Sequence, residues 1–118
     1  MEKFLFLIRQ DLIDREKMKE EDNQNIRVMT IWMESLAQAG NHLASDALLN
    51  SGKYVGRDYV VSDGPFIEAK ESISGFFLIL AENVEQAAAI AQTCPLVLTG
   101  KVVIEVRPIM VLDHEQFS

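Results

Sequence analysis

The sequence predicts an α+β fold whose elements follow the order β-α-β-β-α-β and form a four-stranded antiparallel sheet. Two runs, residues 4–8 and 76–80, are apolar without alternation, which is typical of strands buried on both faces. Two other strand-like segments contain charged residues, as expected at sheet edges. Helical patterns separate the first strand from the second and the third from the fourth. This order predicts the ferredoxin-like arrangement, with the first and third strands at the centre.

The first half of the chain predicts one strand and one long helix. Residues 3–9 form the strand, and residues 19–39 have helical periodicity. The helix has one apolar stripe at spacings of three and four residues, consisting of Val28, Met29, Trp32, Met33 and Leu36. Gly40 is placed to end this helix, because glycine tolerates the left-handed backbone that often follows a helix.

The second strand is predicted at residues 54–62, whose charged centre, Arg57 and Asp58, suits an edge position. Residues 41–53 give no clear pattern beyond a short extended piece at 47–49. The third strand is predicted at residues 75–81.

The second helix is expected to begin at Asn83, with Gln86 completing a capping box, and to end at Pro95. Its apolar stripe consists of Ala87, Ile90, Ala91 and Cys94. Residues 101–109 form the last predicted strand, in which Glu105 and Arg107 alternate with apolar residues.

Composition limits the classes of function that fit this chain. We expect a single domain over residues 1–112 and a polar tail over residues 113–118. The net charge of −7 argues against nucleic-acid binding, and no apolar run is long enough for a membrane helix. The single cysteine, Cys94, predicts no internal disulfide and favours a cytoplasmic location. We expect no metal, because His42 and His114 lack ligand spacing, and no cofactor, because the sequence has no glycine-rich phosphate loop and no dinucleotide fingerprint.

The candidate functional residues centre on a turn followed by a charged segment. Asp63 precedes Gly-Pro and is already explained by turn chemistry, but it is also a candidate catalytic base. The other catalytic candidates are Glu71 and His42, and the candidate ligand-binding residues are Glu68, Lys70 and Arg107. If residues 67–71 are extended, Glu71 faces the core, where Arg107 is the predicted ion-pair partner.

This segment also resembles the central motif of the YCII-related family, which carries a DGPF motif. The matching residues are Asp63-Gly64-Pro65-Phe66, Glu68, Lys70-Glu71, Gly75-Phe76, Cys94-Pro95 and Glu105-Val106-Arg107-Pro108. The resemblance implies a dimeric α+β barrel, in which two ferredoxin-like domains associate through their sheets. It also implies enzymatic roles by analogy with other such barrels, and for some members a link with extracytoplasmic-function sigma factors.

Two functions therefore remain open at this point. The first is a cofactor-free enzyme or binder of a small anionic or polar molecule, with its site near the DGPF turn. The alternative is a non-catalytic regulatory or protein-interaction module, linked to transcription through a sigma-factor partner without direct DNA binding. Whether the protein is an enzyme is not decided by the sequence.

A homodimer is predicted from the faces of the sheet. Two helices cover only one face of a four-stranded sheet, yet both central strands are apolar on both faces. A second copy of the chain is the simplest cover for the other face. Lysine substitutions at Leu5 and Phe6 should reveal which of the two residues faces the partner.

Overall fold

The computed structural model describes residues 1–11, 22–49, 51–62 and 71–112. Its four-stranded antiparallel sheet has the order β2-β5-β1-β6. The sheet strands are β1 (Glu2–Asp11), β2 (His42–Ala47), β5 (Glu71–Ala81) and β6 (Val103–Pro108), and a separate hairpin consists of β3 (Lys53–Val55) and β4 (Val60–Ser62). The helices are α1 (Asp22–Gln38), α2 (Val84–Gln92) and the short α3 (Pro95–Leu98). The predicted α+β class and ferredoxin-like sheet are confirmed.

The central pair of strands matches the prediction. β1 and β5 are adjacent and antiparallel, with Phe4 opposite Ile79 and Phe6 opposite Phe77. These four side chains are buried, and they face the helices as part of one apolar core. The residues between them on each strand point to the opposite face, because side chains alternate along a strand.

The second strand was predicted in the wrong place. The edge position beside β5 belongs to His42–Ala47, not to residues 54–62, which form the hairpin of β3 and β4. The edge strand follows Gly40, whose φ of +82° ends α1 and turns the chain directly into the sheet. His-Leu-Ala-Ser-Asp-Ala shows neither apolar alternation nor β-branched residues, and its pairing with β5 outweighs that weak local preference.

Both long helices pack on one face of the sheet. Trp32 and Leu36 of α1 are buried in the core as the stripe predicts, and Ala87 and Ala91 of α2 join them. The Trp32 indole nitrogen donates a hydrogen bond to Thr93 Oγ at 2.9 Å, which links α1 to the end of α2. The helix layer is therefore fixed to one side of the sheet.

The predicted cap of α2 is present, with one change. Asn83 Oδ1 accepts a hydrogen bond from the Gln86 backbone N–H at 2.8 Å, while Gln86 Oε1 accepts from the backbone N–H of Glu82. Pro95 does not simply end a helix: it opens α3, since a proline at the first helical position lacks only an N–H that would have no partner.

The face of the sheet away from the helices, which we call the open face, has an apolar centre and a charged border. Its centre consists of Leu5, Leu7, Phe76, Leu78 and Leu80, all partly exposed. At the border, Arg9 Nε lies 2.8 Å from Glu105 Oε1, and Arg107 Nε lies 3.8 Å from Glu105 Oε2. No described helix packs on this face, and the molecule is only 20 Å thick along its shortest axis.

Candidate functional site

A cleft of about 410 Å³ lies between α1 and the sheet, beside the edge strand β2. Its volume falls within the range of about 300–1,000 Å³ that is common for small-molecule sites. The described lining residues include no lysine or arginine, and most are apolar. They are Ile8, Gln10, Asn25, Ile26, Met29, Thr30, Met33, Ser45, Asp46, Ala47, Leu48, Ser74, Gly75, Phe77, Leu96 and Val102. The cleft therefore suits a small, mainly apolar molecule better than an anion.

Asn25 is the most informative polar residue in this lining. It lies on the first turns of α1, three residues before Val28 and seven before Trp32, so it continues the stripe of α1 that packs on the sheet. The residue is only 8% exposed, and its Nδ2 has no hydrogen-bond partner among the described residues. A buried amide without a partner costs about 1–3 kcal/mol, which is a reason to expect a ligand acceptor there.

A bulge in the pairing of β1 with β5 shapes the floor of the cleft. Ile8 pairs with Gly75 and Arg9 with Ile73, so Ser74 is the extra residue. Gly75 in turn pairs with Ala47 of β2. A Cβ at position 75 would lie only 3.0 Å from the Asp46 carbonyl oxygen, so glycine allows β2 to approach β5 closely. Two small residues, Gly75 and Ala47, thus leave space in front of the sheet.

A second bulge brings His42 and Ser45 to the same face. His42 pairs with Ile79 and Ala44 with Leu78, so Leu43 is an extra residue in β2. Without it, positions 42 and 45 would point to opposite faces of the sheet. With it, His42 Nε2 lies 2.9 Å from Ser45 Oγ, and the imidazole ring stands nearly perpendicular to the Phe77 ring. Ser45 lines the cleft, and His42 contacts Ser45 without lining the cleft itself.

Cys94 is buried in the core and is not among the lining residues of the cleft. Burial raises the pKa of its thiol, although the backbone amides of Val97 and Leu96 act in the opposite direction. Its sulfur lies 3.6 Å from the Met29 sulfur. A neutral, enclosed thiol is a poor nucleophile, so Cys94 serves packing, as the sequence pattern indicates.

The remaining predicted site residues are not brought together by the described structure. Asp63, Glu68 and Lys70 lie outside the described residues, and so does the side chain of Glu71. The predicted ion pair between Glu71 and Arg107 is wrong within one chain. Glu71 pairs with Asp11 and Arg107 with Leu5, six residues apart along β1, or about 20 Å. Arg107 is 67% exposed on the open face.

Two of the polar residues that line the cleft, Asn25 and Ser45, were missed by the sequence analysis. Asn25 carried a signal, because it is a polar residue at a position that continues the apolar stripe of α1. Ser45 carried no such signal, because the face to which its side chain points depends on a bulge that the local sequence does not specify. His42 was predicted as a candidate, and the structure places it one hydrogen bond from the cleft.

The sequence profile of the YCII-related domain matches residues 4–113 of the chain. The chain belongs to the YCII-related family. This family membership agrees with the ferredoxin-like order of the sheet and with the resemblance seen in the sequence. No curated protein matches the YCII-related chain. No helix in the described part of the chain is long and apolar enough to cross a membrane.

Among solved structures, the YCII-related chain is similar to 5-chloro-2-hydroxyhydroquinone dehydrochlorinase from Burkholderia phenoliruptrix, in complex with 2,5-dihydroxybenzoquinone. The TM-score is 0.56 at 16% sequence identity, and the match covers 93% of this chain and 97% of the other. At this identity the likeness supports the shared fold. Among the described residues, no group of three or more His, Cys, Asp or Glu side chains is arranged to hold a metal ion.

Proposed function

We propose that this protein binds a small, largely apolar molecule with an acceptor oxygen in the cleft between α1 and the sheet, without a cofactor. The unpartnered amide of Asn25 is the observation that carries the proposal. Its Nδ2 donates a hydrogen bond to the acceptor oxygen of the ligand, while Met29, Met33 and Phe77 contact the apolar part. This division of roles is usual for small-molecule sites, where a few polar groups orient a ligand held by apolar contacts.

The chemistry of the similar solved structure supports the same class of ligand. That protein is a dehydrochlorinase, and its bound ligand, 2,5-dihydroxybenzoquinone, is a small ring that carries oxygen substituents. A hydroxylated or carbonyl-bearing ring suits a cleft of about 410 Å³ whose lining includes the unpartnered amide of Asn25. We therefore propose a cyclic hydroxy or oxo compound as the ligand class. An enzymatic role is favoured over a purely regulatory one, because Ser45 lines the cleft and is hydrogen-bonded to His42, which can act as a base through it.

We also propose that the protein is a homodimer that associates through the open face. The five apolar side chains at its centre form a continuous patch, which monomers rarely leave in contact with water. The charged border of Arg9, Glu105 and Arg107 gives this patch a polar rim, as is common at protein interfaces. Such a dimer leaves the cleft on the outer, helix-covered side of each sheet.

Filling the cleft tests the ligand-binding proposal. The phenol 4-nitrophenol serves as a probe of the proposed class. Ala47 lines the cleft and pairs with Gly75, so Ala47→Phe places a ring in the space in front of the sheet. We expect this variant to weaken binding of the probe by at least about tenfold, equivalent to about 1.4 kcal/mol, in isothermal titration calorimetry.

The control is Ala37→Phe, which adds the same ring at an exposed position of α1 outside the lining. It should bind the probe as the wild type does. Equal affinity of the wild type and both variants would place binding elsewhere on the protein and would overturn the proposal for this cleft.

A further inference from the structure

We propose that Ser45 and His42 form a proton relay that ionises a hydroxyl group of the ligand in the cleft. This inference rests on the proposed ligand-binding function and narrows the ligand to a phenol or an enol. Ser45 touches the ligand, whereas His42 acts through Ser45. Neither role follows from a motif in the sequence, because the two residues face one another only through the bulge at Leu43.

The geometry of β2 carries the inference. The bulge turns both side chains to the helix-covered face, where Ser45 Oγ lines the cleft and lies 2.9 Å from His42 Nε2. The imidazole is partly buried and packs against the Phe77 ring, with 5.9 Å between the ring centroids. Bulges often occur beside active sites because they redirect a side chain at the cost of one regular pair. Here the redirected pair is a hydroxyl and a base.

Several other charged residues lie on the elements around this pair. Arg27 and Glu34 of α1 are exposed. Asp46 is also exposed and lines the cleft, although it pairs with Phe76, which lies on the open face. In β5, Glu71 pairs with Asp11 at the far end of the sheet from His42. Asp46 therefore adds a carboxylate to the lining of the cleft, and His42 is the described base in hydrogen-bond contact with Ser45 Oγ.

The proposed step is a transfer of two protons along one line. The ligand hydroxyl gives its proton to Ser45 Oγ, while the Ser45 hydroxyl proton moves to His42 Nε2. The ligand becomes an oxyanion, Ser45 is again a hydroxyl, and His42 becomes an imidazolium. No electron is gained or lost, and the net charge of the site is unchanged. The Asn25 amide donates to an oxygen of the anion, which favours its charged form.

The test follows the ionisation of bound 4-nitrophenol by its visible phenolate absorbance, using the full-length protein over a range of pH. The variants are Ser45→Ala, which removes the bridging hydroxyl, and His42→Gln, which keeps a side-chain amide for Ser45 but cannot take up the proton. We expect the wild type to hold the probe as phenolate at a pH where the free probe is mostly protonated. Each variant should lower the ratio of bound phenolate to bound phenol by about tenfold or more, which is one unit in the probe's pKa.

The outcomes separate this inference from the function on which it rests. Binding with the same phenolate ratio in the wild type and in His42→Gln would overturn the relay and leave the cleft as a binding site. Failure of the wild type to bind the probe would overturn the proposed function and the relay together. Loss of the phenolate ratio in both variants, with the probe still bound, would support the relay, because a merely structural hydrogen bond would not change the ionisation of the probe.

Discussion

A lysine in place of Phe6 should prevent this protein from folding, whereas a lysine in place of the neighbouring Leu5 should leave a folded monomer. Phe6 is 0% exposed and belongs to the core between β1 and the helices. Truncation of a buried phenylalanine alone costs about 3–5 kcal/mol, and an unpaired ammonium in the same place costs more. The total destabilisation is comparable to the free energy of unfolding of a typical domain, about 5–15 kcal/mol.

Leu5 lies one residue away and points to the open face, where it pairs with Leu78 and Arg107. In a dimer formed through this face, Leu5→Lys places a lysine beside Arg107 in each protomer. The interface then contains two additional positive charges. Circular dichroism should show a folded chain, and sedimentation should show a monomer where the wild type is a dimer. A folded Phe6→Lys variant would refute the assignment of faces. A dimeric Leu5→Lys variant, or a monomeric wild type at micromolar concentration, would refute association through the open face.

Replacing Asn25 by leucine should stabilise the free protein and impair ligand binding at the same time. The Asn25 amide is buried without a partner among the described residues, so an apolar side chain of similar size removes a desolvation penalty. We expect the free energy of unfolding in urea to rise by about 1–2 kcal/mol. Loss of the donor to the ligand should weaken binding of 4-nitrophenol by about tenfold. A residue that served folding alone would not give a variant that is more stable than the wild type and binds the probe more weakly.

Asn41 provides the matched control for this substitution. It lies after α1, and its Nδ2 donates a hydrogen bond to the Leu80 carbonyl oxygen at 2.8 Å. Asn41→Leu should therefore lower the free energy of unfolding by about 1 kcal/mol and leave probe binding unchanged. If Asn25→Leu destabilised the protein as much as Asn41→Leu does, the Asn25 amide would have a partner in the free protein, and the main support for the cleft would be lost.

Local sequence patterns were sufficient to predict the central strands, the apolar stripe of α1 and the cap of α2. Residues 4–8 and 76–80 predicted the central strands, because a strand buried on both faces has no polar positions. This pattern can be recognised without knowing how the strands pair. The stripe of α1 and the cap at Asn83 were also recoverable, since both depend on residues within one or two turns.

The predictions that failed concern features that depend on how the strands pair across the sheet. His42–Ala47 has weak strand preference and becomes an edge strand only because β5 pairs with it. The predicted contact between Glu71 and Arg107 fails because the two residues pair with Asp11 and Leu5, which are six residues apart along β1. The relation of Ser45 to His42 depends on the bulge at Leu43, which no sequence pattern announced. Asp63, Glu68 and Lys70 remain predictions, because they lie outside the described residues.

Methyl NMR of methionine tests the central claim most directly, namely that a small molecule binds in the cleft between α1 and the sheet. The chain has five methionines, of which Met29 and Met33 line the cleft and Met110 is 78% exposed beyond β6. On titration with 4-nitrophenol, we predict saturable shifts of the Met29 and Met33 methyl signals and no shift of the Met110 signal. Unchanged Met29 and Met33 signals at saturating probe, or a shift confined to Met110, would contradict binding in the cleft.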